Sequence, residues 1–139
     1  GPDGQLARAG PDEGIPTIDP ELGGCVGWDE DSIRAGVDGV FNVLRYYDFL
    51  PGGYTPSPQA RATGFEQYGS PVGGLVDFHP NLGDRVSRGD TLFEVTDVFG
   101  ETKSEITADS AGIFWRSRRL PQVATGEYVC SIGTNIDTY

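Results

Sequence analysis

One pattern occurs twice in this chain, and that repetition limits what the chain can fold into. Gly74-Leu75-Val76 aligns with Gly112-Ile113-Phe114, and Val86-x-x-Gly89-Asp90-x-Leu92 aligns with Val123-x-x-Gly126-Glu127-x-Val129. Each copy reads as strand, turn carrying Gly-Asp or Gly-Glu, strand. Thr91 to Val95 and Tyr128 to Ile132 alternate with the period of a half-buried strand. Neither copy is large enough to bury a core alone, but two copies facing one another are. The expected product is a small β-sandwich or barrel of roughly 65 residues, near the lower limit for independent folding.

The first part of the chain follows a different pattern. Gly14-Ile15-Pro16-Thr17-Ile18-Asp19-Pro20-Glu21-Leu22-Gly23-Gly24 reads as a short apolar strand that ends at a carboxylate, Glu21, beside a glycine turn. In α/β enzymes the carboxyl ends of strands open onto the crevice where ligands bind. Asp29 and Asp31 precede a run in which Ile33, Val37, Val40, Phe41 and Leu44 fall at helical spacing, predicting a helix that ends near Tyr47. Asp29, Glu30 and Asp31 read as a helix-start cluster that favours the positive end of the helix dipole rather than as a metal site. Pro51-Gly52-Gly53-Tyr54-Thr55-Pro56-Ser57-Pro58 then reads as a linker or crossing loop. The expected division is residues 1–55 and 56–139.

Charge narrows the classes of function. The net charge is -11, with nine arginines and one lysine against 21 acids, of which 13 are Asp. An Asp-rich, Lys-poor surface stays hydrated at high salt, which predicts a halophilic host. It also argues against nucleic acid, which requires a basic stripe. No apolar run approaches the roughly 20 residues of a membrane span, and the start shows no signal-peptide pattern, so the expected setting is cytoplasmic with no membrane partner. Cys25 and Cys130 have no C-x-x-C partner and are expected to be reduced, partly buried thiols. The single histidine, His79, reads as a surface turn residue, because a zinc site needs three or four ligands. Trp28, Trp115, Tyr46 and Tyr47 are expected to be packing residues. The first ten residues begin in mid-pattern without Met, which suggests a fragment.

The repeat resembles the barrel-sandwich hybrid of biotinyl and lipoyl domains, which carry a lysine at the tip of the hairpin joining the two copies. Here Asp97-Val98-Phe99-Gly100-Glu101-Thr102-Lys103 places the turn at Phe99-Gly100 and Lys103 beyond it, so no carrier role is expected. The order of motifs from about Gly14 to Gly133 is more specific. Gly14-Ile15-Pro16-Thr17-Ile18-x-x-Glu21-Leu22-Gly23-Gly24, then Ala35-Gly36-Val37-x-Gly39-Val40-x-Asn42-Val43-Leu44-Arg45, then Ala111-Gly112-Ile113-Phe114 leading to Arg119-Leu120-Pro121-x-Val123, resembles the end of the succinylglutamate desuccinylase/aspartoacylase family.

That resemblance implies an α+β fragment: the end of a carboxypeptidase-like α/β domain followed by a small lipoyl-like β barrel-sandwich domain. It implies part of a zinc-dependent hydrolase, a deacylase cleaving the amide of a small N-acyl amino acid or related compound. In that family two His and one Glu hold Zn2+, and a separate Glu, matched here by Glu21, moves the proton of the attacking water. The family's zinc ligands precede that Glu, yet no His precedes Glu21 in this chain. The 139 residues alone are therefore expected to be inactive, with Zn2+ ligands upstream. The competing expectation is a stand-alone, non-catalytic β interaction or oligomerisation module, and a homo-oligomer is compatible with either. Arg116, Arg118 and Arg119 read as an exposed face paired with surplus acids, the sharper alternative being a carboxylate-binding rim over a cleft.

Overall fold

A computed structural model describes residues 3–23, 27–56 and 58–138, and the chain divides into two compact units, Gly1–Pro56 and Ser57–Tyr139. Among its described residues the first unit holds two helices, α1 (Leu6–Asp12) and α2 (Glu30–Tyr46). In α2 the apolar positions at three- and four-residue spacing form one stripe, and the cap and charges agree with it. The Asp29 side chain accepts from the Ser32 backbone N–H at 3.0 Å, Glu30 and Asp31 occupy the first turn, and Arg45 lies in the last. The helix stops where Asp48 takes the left-handed conformation, φ 59°, and Phe49 N–H returns to the Leu44 carbonyl at 2.9 Å. Helix α1 was not anticipated, since Pro11 and flanking glycines obscure its period; an Arg8–Asp12 pair at 2.9 Å spans one turn.

Residues 15–22 are not the strand that their composition suggests. They run as irregular backbone with no ladder partner among the described residues. A strand exists only against another strand, whatever its intrinsic preference. The proline-rich stretch also departs from a free linker. Asn42 of α2 donates to the Thr55 carbonyl at 3.1 Å and accepts from the Thr55 N–H at 3.3 Å, and Tyr54 meets Tyr46 edge-on at 5.2 Å.

The described residues of the second unit form eight strands in two antiparallel sheets. In chain order they are β1 (Ala60–Gly69), β2 (Gly74–Phe78), β3 (Arg85–Val86), β4 (Thr91–Thr96), β5 (Thr102–Thr107), β6 (Gly112–Ser117), β7 (Gln122–Val123) and β8 (Tyr128–Thr138). One sheet has the order β1-β8-β6-β3 and the other β5-β4-β2-β7. The two copies of the repeat are β2-β3-β4 and β6-β7-β8, and each lends its two-residue strand to the other copy's sheet. Val86 faces Gly112 as Val123 faces Gly74, so neither half completes a sheet alone.

The residues shared by the copies have matching tasks. Gly89 and Gly126 take positive φ, 91° and 80°, where a Cβ is disfavoured. The acid after each glycine closes the turn: Ser87 N–H donates to Asp90 at 2.8 Å and Ala124 N–H to Glu127 at 2.9 Å. A Cβ on Gly74 or Gly112 would collide with the carbonyl oxygen of Thr96 or Gly133 respectively. Between the sheets lie Leu92, Phe93, Val95, Phe114, Val129 and Ile132, all fully buried. A register shift between Thr91 and Phe93 lets consecutive Leu92 and Phe93 both enter the core.

Candidate active site

Glu21 is exposed, and its neighbours are held against α2. Leu22 lies so close over Gly36 that a Cβ there would come within 2.6 Å of Leu22 Cδ1. Gly23, with φ 80°, sits at the helix start, where an added Cβ would come 3.3 Å from Asp29 and Ser32. The Ser32 hydroxyl donates to the second Asp29 oxygen at 2.8 Å, which rigidifies that start. Glu21 is thus anchored through its neighbours, while its own carboxylate makes no hydrogen bond among the described residues. A general base needs orientation and exclusion of water, and nothing described in this unit supplies either. Sequence reasoning missed the Leu22–Gly36 contact, although a glycine inside a helical apolar pattern was its signal.

The arginine trio is not gathered into a rim. Arg118, with a side chain only 16% exposed, is pinned in a turn: it bonds the Leu120 carbonyl at 3.0 Å and Glu127 at 2.9 Å. Arg118 and then the Ala124 N–H hold the Glu127 carboxyl below its ordinary value. Arg116 lies over the Tyr128 ring at 5.9 Å, and Arg119 is exposed. Only Arg118 therefore pairs with an acid in the way a charged face would, and it does so half-sunk rather than on an exposed face, because three backbone and side-chain acceptors surround it.

The other residues singled out fall as follows. His79 follows β2 in a bend, with Nε2 3.9 Å from Glu94. Cys130 is a free, buried thiol that burial pushes up to about 12, which makes it a core residue rather than a nucleophile. Cys25 lies outside the described residues. Lys103 is exposed on β5, past the Asp97–Glu101 turn. Trp28, Trp115, Tyr46 and Tyr47 are exposed, at 81%, 55%, 59% and 52%, and such packing as they make is at the surface: Tyr46 meets Tyr47 edge-on at 5.0 Å and Trp115 lies 5.1 Å from Phe65. The core volume is taken by Phe93 and Phe114, and strand alternation puts Trp115 on the face of β6 opposite Phe114. Among the described residues no three of His, Cys, Asp and Glu are placed to hold a metal ion, so the described side chains do not fit the zinc that the family resemblance brings. No described helix is long and apolar enough to cross a membrane.

A polar network that the sequence did not signal ties β1 to the turn before β6. Glu66 accepts from the Tyr68 hydroxyl at 2.8 Å and the Ser110 hydroxyl at 2.6 Å, and the Tyr68 oxygen accepts from the Asp109 N–H at 3.0 Å.

The sequence matches no protein-family profile and no curated protein. The fold does have counterparts among solved structures. The ectoine utilization protein EutE (DoeB) from Ruegeria pomeroyi superposes with a TM-score of 0.79 at 24% identity, covering 94% of this chain and 43% of that one. A succinylglutamate desuccinylase from a Silicibacter species gives 0.77 at 24%, covering 94% and 42%. A succinylglutamate desuccinylase/aspartoacylase family protein from Shewanella amazonensis gives 0.73 at 16%, covering 96% and 40%. The neighbours of this fold are succinylglutamate desuccinylase/aspartoacylase proteins. The likeness extends over both units of the chain, so the desuccinylase/aspartoacylase resemblance read from the order of motifs holds at the level of fold. The chain spans about two fifths of the length of these proteins, consistent with their C-terminal portion.

Proposed function

We propose that these residues form the C-terminal part of a hydrolase that cleaves the amide of a small N-acyl amino acid, with Glu21 as its general acid/base. The observation that carries this reading is the match of fold along 94% to 96% of the chain to desuccinylase/aspartoacylase proteins. The Glu21-Leu22-Gly23 turn seated on α2 supports it further. In this role the Glu21 carboxylate removes a proton from the water attacking the amide carbonyl and returns it to the departing amine. The unburied apolar stripe of α2 accords with a helix whose cover is the rest of an α/β domain. The β unit, Ser57–Tyr139, is then a lipoyl-like appendage of that domain.

A dependence on zinc belongs to the same proposal, with ligands supplied by chain upstream of Glu21, since those described here do not form a set. The reading frame 5′ to the Gly1 codon tests this: it should encode His-x-x-Glu and a further His. In the protein so completed, Glu21→Gln should lower kcat by at least 100-fold with KM little changed. Full activity in that variant would remove Glu21 from the chemistry. Because one neighbour is an ectoine utilization protein, acylated amino acids from ectoine breakdown are the first substrates to assay.

A further inference from the structure

Helix α2 carries two glycines, Gly36 and Gly39, although glycine is among the poorest helix formers. They differ in what a side chain would meet. A Cβ on Gly39 has nothing within 4 Å, whereas one on Gly36 would come within 2.6 Å of Leu22 Cδ1, well inside the favourable carbon separation of about 3.5–4.0 Å. Asp29, Ser32 and Gly36 follow one another at spacings of three and four, so they share one side of the helix start. The segment after Glu21 lies along that side: Gly23 stands over Asp29 and Ser32, and Leu22 stands over Gly36.

Glu21 directly precedes this seat. Its carboxylate makes no hydrogen bond among the described residues, so the backbone from which it projects is fixed by what Leu22 and Gly23 touch. The seat sets where that side chain starts and leaves its direction to other groups. Position alone matters, since moving a catalytic group by about 1 Å can cost about 100-fold in rate. Leu22 is itself 53% exposed and can swing aside, so the disturbance should scale with the size of the group placed beneath it. Gly39, in the same helix with open space around it, is the internal control.

We propose that Gly36 is a positioning residue: its missing side chain lets Leu22 settle on α2 and thereby sets where Glu21 stands. This role rests on that of Glu21 as general acid/base, so Glu21→Gln is run beside it. In the protein completed by its upstream chain, with N-acetyl and N-succinyl amino acids as substrates, Gly36→Ala should lower kcat by about 3-fold and Gly36→Leu by at least about 10-fold, with KM unchanged. Gly39→Ala and Gly39→Leu should stay within about 2-fold of the parent. Alanine favours the helix at either site, so a loss confined to the Gly36 variants is not a folding defect. Adding Leu22→Ala to Gly36→Leu removes the displaced side chain and should restore most of the rate, a non-additivity expected of residues in contact. In the 139-residue chain itself, a nuclear Overhauser contact between the Leu22 methyls and the Gly36 α-protons should be present and should survive Gly39→Leu. Rates that fall equally at Gly36 and Gly39, a loss that appears in KM alone, a double variant no faster than Gly36→Leu, or a missing Leu22–Gly36 contact would each overturn the proposal. Full activity in Glu21→Gln would remove the reading of Glu21 and this role with it, whereas an inactive Glu21→Gln beside a fully active Gly36→Leu would remove this role alone.

Discussion

At the scale of single residues, the best defined chemistry lies away from Glu21. The Glu66 carboxyl is held below its ordinary value by the Ser110 hydroxyl and then the Tyr68 hydroxyl, and burial pushes the Tyr68 phenol up to about 12. The two act at opposite ends of the pH scale. Glu66 has the lower value when folded, so its contribution is present above the unfolded value and fades as pH falls through the folded one. Tyr68 has the higher value when folded, so its contribution is complete below 10.0 and fades as pH climbs toward about 12. Thermal melts across pH should therefore show a Tyr68→Phe variant less stable at neutral pH yet with a flatter loss above pH 10.0. An unchanged alkaline slope would refute the role assigned to Tyr68. Arg118→Ala should cost about 1–2 kcal/mol in urea unfolding, because it leaves the Leu120 carbonyl without its donor. The Glu66 network was not legible beforehand, since Glu66 and Ser110 are 44 positions apart and meet only through folding.

At the scale of elements, local rules worked where an element is closed by its own neighbours. The α2 stripe, its Asp29 cap and its end at Tyr46 follow from residues within a few positions of one another. Asp29→Ala should lower helicity, measured by circular dichroism, at a cost of about 1 kcal/mol. The repeat was equally readable, because the Gly-acid pair closes the turn by itself. The glycines of the repeat should separate into two kinds on substitution. Gly112→Ala drives a Cβ into the Gly133 carbonyl and should cost about 3 kcal/mol, whereas Gly126→Ala has open space and suffers only its φ of 80°, about 1 kcal/mol. Equal losses at both sites would contradict the close strand contact. The apolar run at 15–18 shows where local reading fails, because strand formation depends on a ladder partner and none is described.

At the scale of the whole molecule, the two units differ in how they are stabilised. Neither helix of the first unit buries a side chain, while the second unit encloses a core of eleven of its described residues. Protection from amide exchange should therefore be lost from α2 well before β4 and β8, and limited proteolysis should cut near residues 49–59 and leave the β unit intact. Protection of α2 equal to that of β8 would count against this ranking. The acidic surface bears on the same scale, since mutual repulsion at a net charge of -11 has to be offset wherever two copies meet.

Periodicity, turn chemistry and the order of motifs lie along the chain, so the sequence by itself determined the helix, the repeated β units and the likeness to desuccinylase/aspartoacylase proteins. Only the tertiary structure decided that each copy gives its short strand to the other's sheet, that Arg118 is pinned, and that the four aromatics face outward. Those outcomes depend on which surfaces run out of interior space and which strands find partners. Such choices are made between residues distant in the chain, where no local pattern records them.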